Sequence, residues 1–208
     1  MILSRNNGTY YKQIGYSRWI SYYWQMQYIS ECRPGSILEL GVGDGIMSSI
    51  LRDMGYSILT CDISRDVAAD VTADIRALPF RDASFDLVAS FQVLEHLEYD
   101  HFSPCLRSFH RIAGKHVLLS LPQGRKYFDF RVHLPWMKKD AYFGMFRDMQ
   151  RYPPYERPAG RSHYWEIGVR GYPLKRIVAD MERAGFRIAV NRSIPQNVYH
   201  RFFILEKK

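Results

Sequence analysis

Short apolar runs alternate with stretches of helical period along most of this chain, and that rhythm predicts its elements. Strands are expected at residues 36–40, 57–61, 86–91 and 116–121, where apolar positions run continuously enough for burial on both faces. Residues 46–54, 103–112 and 172–184 repeat apolar positions at three- and four-residue spacing and read as helices, with more helix from about Val93; Gly185 stops the last of them. Residues 71–73 form a shorter strand, and 186–190 and 202–205 read as closing strands. The first periodic stretch, Tyr10 to Glu31, places Trp19, Tyr22, Tyr23 and Met26 at i, i+3, i+4 and i+7, one helix face that is expected to pack on the strand-and-helix domain C-terminal to it. Strands alternating with helices imply an α/β fold with a doubly wound, mostly parallel sheet of seven strands.

One segment breaks the rhythm. Between Pro122 and Arg170 the chain carries Pro135, Pro153, Pro154 and Pro158 and is dense in aromatics, so it reads as an inserted cap. Charge is also uneven. Residues 1–124 hold 11 Lys/Arg against 13 Asp/Glu, whereas residues 125–208 hold 18 against 8. The C-terminal part is therefore expected to meet an anion, unless the excess is a solvated basic face. At 208 residues, with 47% hydrophobic and 24% charged, the chain is an ordinary globular domain, not a disordered tail. It shows no apolar run of membrane-spanning length and no signal-peptide core, and Cys32, Cys61 and Cys105 lack metal-knuckle spacing. A cytoplasmic protein is expected.

The chemistry begins at Ile37-Leu38-Glu39-Leu40-Gly41-Val42-Gly43-Asp44-Gly45, an apolar strand, a glycine turn and then a helix. Such a turn lets backbone approach a ligand closely at the N–H-rich start of the helix. Ile46 stands where a dinucleotide-binding G-x-G-x-x-G needs its third glycine, which argues against a dehydrogenase. Glu39, two residues before the first glycine, would repel a pyrophosphate and suits a ligand ammonium. Asp62 ends the next strand, where a carboxylate can accept both ribose hydroxyls. A ribose, no required phosphate and a cationic amino-acid end describe S-adenosylmethionine (SAM).

Three blocks then carry a resemblance: Leu38-Glu39-Leu40-Gly41-Val42-Gly43-Asp44-Gly45, Ala73-Asp74-Ile75-Arg76-Ala77-Leu78-Pro79-Phe80, and Ser84-Phe85-Asp86-Leu87-Val88-Ala89-Ser90-Phe91-Gln92-Val93-Leu94-Glu95-His96-Leu97. The chain resembles the class I SAM-dependent methyltransferases of the ubiquinone- and menaquinone-biosynthesis (type 11) branch, firmly over residues 36–122. The resemblance implies a Rossmann-like methyltransferase fold. It also implies that Gly41 and Gly43 contact the methionine portion, with Glu39 beneath the turn, and that Asp62 holds the ribose. Asp74 and Ile75 would flank the adenine, and Phe91 would offer its backbone to the amino group. The chain then reads as one domain over 1–208: an aromatic helical segment (1–34), a SAM-binding core (35–122), an aromatic and basic cap (123–170) and a closing helix and strands (171–208).

The base that would take a proton from a neutral acceptor is left open among Glu95, His96 and His163. Glu95-His96 follows the fourth strand, either as a base or metal pair or as a helix start with a packed His. Small-RNA 2′-O-methyltransferases have a similar E-x-x-E-H metal run, but Gln92 stands at its first position here, so no metal is expected. His163 and Glu166, three apart in Ser162-His163-Tyr164-Trp165-Glu166, would share a face if helical. His133 ranks lower. The insert carries 10 Lys/Arg against 5 Asp/Glu over residues 125–170, which suits a small or medium anionic or phosphate-bearing acceptor such as a glycan precursor or secondary metabolite, with O-methylation favoured. An RNA methyltransferase and a SAM-binding protein without catalysis are the alternatives. His200 and Arg201 are expected near the pocket edge, and Arg18 near the methionine carboxylate. Oligomeric state is not fixed by the sequence.

Overall fold

The computed structural model describes residues 15–124, 126–132, 136, 141–147, 163–194 and 196–208. The elements run α1 (Tyr16–Cys32), β1 (Ile37–Leu40), α2 (Ile46–Asp53), β2 (Ile58–Asp62), β3 (Val71–Thr72), β4 (Phe85–Phe91), α3 (Phe102–Ile112), β5 (Ala113–Pro122), β6 (Lys126–Val132), β7 (Ala141–Arg147), α4 (Leu174–Arg183), β8 (Phe186–Ile194) and β9 (Asn197–Lys207). Seven strands form one sheet in the order β3-β2-β1-β4-β5-β9-β8. The first five are parallel, and β9 and β8 close the sheet antiparallel.

Period-two alternation sorts the strand residues onto two cores. Leu38, Val88, Val117 and Phe203 point to one face, which α3 and α4 cover with Phe102, Phe109 and Ile177. Their neighbours Ile37, Leu87, Leu118 and Phe202 point to the other, covered by Tyr28 and Ile29 of α1 and Met47 and Leu51 of α2. The chain runs outward in opposite directions from β1, toward β2 and toward β4. That reversal opens a crevice at the carboxyl ends of β1 and β4, where open α/β sheets bind ligands.

Three expectations change. The buried face of α1 is Ser21, Tyr22, Gln25, Tyr28 and Ile29, while Trp19 and Tyr23 are 38% and 49% exposed. Aromatics occur all around this helix, so spacing alone could not select the face. The helix expected from Val93 is instead two single 3-10 turns, Leu94–His96 and Tyr99–His101, because Leu97 and Glu98 take extended backbone and break it. The closing strands run longer than their apolar cores, since each pairs with a neighbour far beyond its buried positions.

In the insert, β6 and β7 pair as a separate antiparallel two-stranded sheet, from Lys126 opposite Arg147 to Val132 opposite Ala141. Trp136 is exposed. Arg125, His133, Tyr152, Tyr155, Ser162 and the four insert prolines lie outside the described residues. Among the described residues, no helix is long and apolar enough to cross a membrane.

Candidate active site

The glycine turn joins β1 to α2 with Gly41, Gly43 and Gly45 all at positive φ (82°, 58° and 73°). At Gly41 the requirement is also steric, because a Cβ would lie 2.3 Å from Val93 Cγ2. At Gly43 a Cβ would meet nothing within 4 Å, so the turn presents bare backbone to open space. Asp62 fixes this turn from the end of β2. Its Oδ2 accepts from Val42 N (2.8 Å) and its Oδ1 from Ser64 N (2.9 Å).

Two cavities flank the turn and share Gly41, Gly43 and His96 as lining. The one beside β2, about 450 Å³, is lined by Asp62, Ile63, Asp74 and Ile75. The Asp74 carboxylate is engaged there by Arg76 (Nη2 to Oδ2, 2.5 Å), which holds it below the usual carboxylate range. The other, about 630 Å³, is lined by Glu39, Asp44, Phe91, His163, Tyr199 and His200, among others.

α1 borders this larger cavity with Ser17, Arg18, Ser21, Tyr22 and Gln25. It is tied down at Asp44, whose Oδ2 accepts from Tyr22 Oη (2.5 Å) and Arg18 Nη1 (3.2 Å). Glu39 is 3% exposed and its Oε2 has no hydrogen-bond partner. Burial pushes its carboxyl up to about 8, with Arg52 opposing and Asp44 adding to the rise. His200 meets Ser21 Oγ through Nδ1 (2.8 Å), and burial, with Arg18 and His163 nearby, lowers it to about 4. Arg201 instead bonds Asn191, Ser193 and Gln123.

The structure brings together the two candidate stretches that the sequence left separate. His163 is not helical, yet its Nδ1 lies 3.0 Å from Glu166 Oε1. Tyr199 Oη donates to that same oxygen (2.7 Å). On its other side His163 Nε2 is 4.0 Å from Glu95 Oε1, and its ring meets His96 edge-on at 4.9 Å. Glu95 is fully buried with neither oxygen hydrogen-bonded, and burial, with Glu166 nearby, pushes it up to about 8. Two bonds stitch the two segments of this arrangement together: Tyr164 N to Glu95 O (2.8 Å) and Trp165 Nε1 to Leu97 O (3.1 Å).

A methyltransferase domain family matches residues 38–120, which span β1 to β5 and hold all the crevice residues contributed by the parallel strands. Over these residues the chain is similar to the class I SAM-dependent methyltransferases of the type 11 branch. The cofactor that this similarity implies is SAM. The chain is 34% identical to the malonyl-[acyl-carrier protein] O-methyltransferase of Pseudescherichia vulneris over 41% of its length and 37% of that relative. It is 27% identical to the demethylmenaquinone methyltransferase of Beutenbergia cavernae, over 74% and 67%. It thus spans little more than a third of one curated relative and about two thirds of the other. The 1,6-didemethyltoxoflavin-N1-methyltransferase of Burkholderia thailandensis, solved with S-adenosylhomocysteine, shares the fold at a TM-score of 0.60 and 12% identity, over 93% of this chain and 79% of that one.

The residues present fit the cofactor. The orphaned Glu39 Oε2 is an acceptor that an ammonium would satisfy, and Gly43 leaves room for a ligand against the backbone. Sequence reasoning missed several lining residues, Asp44, Tyr22 and Tyr199 among them. Asp44 stands inside the glycine motif, where its charge was a visible signal. Tyr22 was read as a packing residue and Tyr199 as strand, because only the fold brings either to the crevice.

Proposed function

We propose that this protein is a methyltransferase that transfers the SAM methyl group to an oxygen of a small or medium anionic acceptor. The carrying observation is the 630 Å³ cavity that runs from the glycine turn to the Glu95, His96 and His163 cluster. In this reading Asp62 accepts the ribose hydroxyls, Asp74 and Ile75 border the adenine, and Gly41 and Gly43 lie along the methionine portion. Glu39 faces the ammonium, with the Phe91 backbone near it. SAM supplies a sulfonium-bound methyl that an oxygen lone pair displaces, leaving S-adenosylhomocysteine. The protein's part is alignment, exclusion of water beneath α1, and removal of the acceptor proton at the Glu95–His96–His163 cluster. Arg18 at the cavity rim and the basic excess of residues 125–208 support an anionic acceptor. The free thiols of Cys32, Cys61 and Cys105 support a cytoplasmic setting.

Calorimetric titration with S-adenosylhomocysteine tests the cofactor site. Wild-type protein is expected to bind it and not NADH. Asp62→Ala, which loses a charged acceptor of the turn and of the ribose, is expected to weaken it by about 100-fold. Unchanged affinity in the variant, or preferential NADH binding, overturns this reading.

Glu39 gives a second check. Its raised pKa means the free protein holds a proton there below about pH 8. A bound ammonium favours the ionised form, so binding expels that proton and affinity climbs with pH until about 8. At pH 7 the binding enthalpy is therefore expected to differ between buffers of different ionisation enthalpy, by close to one proton. A buffer-independent enthalpy removes the ammonium role of Glu39.

A further inference from the structure

Glu95, His96 and His163 each offer a ligand atom, and these atoms all lie within 4.8 Å of one another. Three features make this more than a chance cluster. Glu95 is a fully buried carboxyl group whose two oxygens have no hydrogen-bond partner, so both lone-pair sets are open to a ligand. Glu166, 3% exposed, adds a second buried carboxylate close by. Third, the His163 Nδ1 edge faces Glu166 Oε1, which assigns the Nδ1 proton to that contact and leaves the Nε2 lone pair toward Glu95. A carboxylate holding the far nitrogen of an imidazole is the usual support of a metal-ligating histidine. Tyr199 Oη, donating to the same Glu166 oxygen, fixes that support in turn.

We propose that Glu95, His96 and His163 form a site for a divalent transition-metal cation of the zinc type, at the end of the cavity where the acceptor binds. Two imidazoles and one carboxylate suit zinc or cobalt rather than magnesium or calcium, which take oxygen ligands. Bonds of about 2.0–2.2 Å put ligand atoms roughly 3.4 Å apart, so the cluster closes on a cation by side-chain shifts of ~1 Å. The cation leaves a fourth position open toward the cavity. Its role rests on the methyl-transfer reading. The acceptor hydroxyl gives up its proton to solvent and is held as the oxyanion. The oxygen lone pair forms the new bond to the methyl carbon, and the carbon–sulfur pair goes to sulfur.

The test is titration of the untagged, metal-stripped chain with Co²⁺, followed by visible absorption, with S-adenosylhomocysteine titrated into the same preparations. One Co²⁺ per chain is expected, with ligand-field bands of low coordination number, displaced by Zn²⁺. Glu95→Gln and His163→Gln are each expected to weaken Co²⁺ by ~100-fold or more, and Glu166→Gln by about 10–100-fold, while all three keep the far-ultraviolet circular dichroism of the parent. His96→Gln provides a further ligand variant should one of the others fail to fold. Cofactor binding without Co²⁺ binding, or Co²⁺ bound equally well by folded Glu95→Gln and His163→Gln, overturns the metal site alone. Co²⁺ binding without cofactor binding overturns the methyl-transfer reading on which the role of the metal rests.

Discussion

His163→Ala is expected to lower turnover by about 10²–10⁴-fold while leaving the affinity for S-adenosylhomocysteine within about twofold of the parent. The asymmetry follows from where the residue sits. Of the two cavities His163 borders the larger, as part of the cluster, whereas the ribose and adenine contacts proposed for Asp62, Asp74 and Ile75 lie in the cavity beside β2. Removing the imidazole takes away the Nε2 lone pair that would take the acceptor proton or, in its place, hold a cation, and it removes the ring nitrogen 4.0 Å from Glu95 Oε1. The measurement is steady-state kinetics on an acceptor found by screening, run alongside calorimetry. A turnover near the parent value sinks the assignment. A joint loss of turnover and cofactor affinity would move His163 into the cofactor site.

The largest stability effect is expected at Trp165. It is fully buried, packs edge-on against Tyr99 and Phe102 with centroids 5.1 Å away in each case, and donates its indole N–H to Leu97 O. Trp165→Ala removes the largest wholly buried side chain among the described residues and orphans a carbonyl, so it should cost ~3–5 kcal/mol. For a chain of this size that is a fall in Tm of roughly 6–20 °C. Trp165→Phe keeps most of the packing and loses only the hydrogen bond, for about 1 kcal/mol. Thermal unfolding by circular dichroism separates the two. An alanine variant as stable as the phenylalanine one would mean that Trp165 lies elsewhere. The consequence reaches the site, because Trp165 stands between His163 and Glu166 and anchors both to the loop that carries Glu95.

The parallel half of the molecule was legible from sequence because its signals are local. A strand buried on both faces reads as a continuous apolar run, and the turn after β1 carries its glycines and Asp44 within five residues of Leu40. Asp62 was found because a βα unit of fixed length places the end of β2 beside the end of β1. The acceptor side was harder for the opposite reason. Glu95, His163, Glu166 and Tyr199 come from three distant stretches, and nothing in the spacing of one announces the others. Residues 163 and 166 looked paired only if helical. The contact forms without a helix, because residues 163–167 run along the Glu95–Leu97 loop, held by Tyr164 N and Trp165 Nε1. For α1 the failure was compositional. With tyrosine or tryptophan on every side, hydrophobicity could not rank the faces, and the buried one includes Ser21 and Gln25 because it borders a polar cavity.

Asp44 belongs to the floor of the cavity through the glycine turn and to its wall through Tyr22 and Arg18 of α1. Seating the helix and shaping the turn are consequently one equilibrium. The affinity measured for any occupant of that cavity contains the free energy of docking α1. A molecule confined to the space beside β2 carries no such contribution. Two occupants of that cavity are thus expected to favour each other's binding even without touching, through the docking of α1 that both would share.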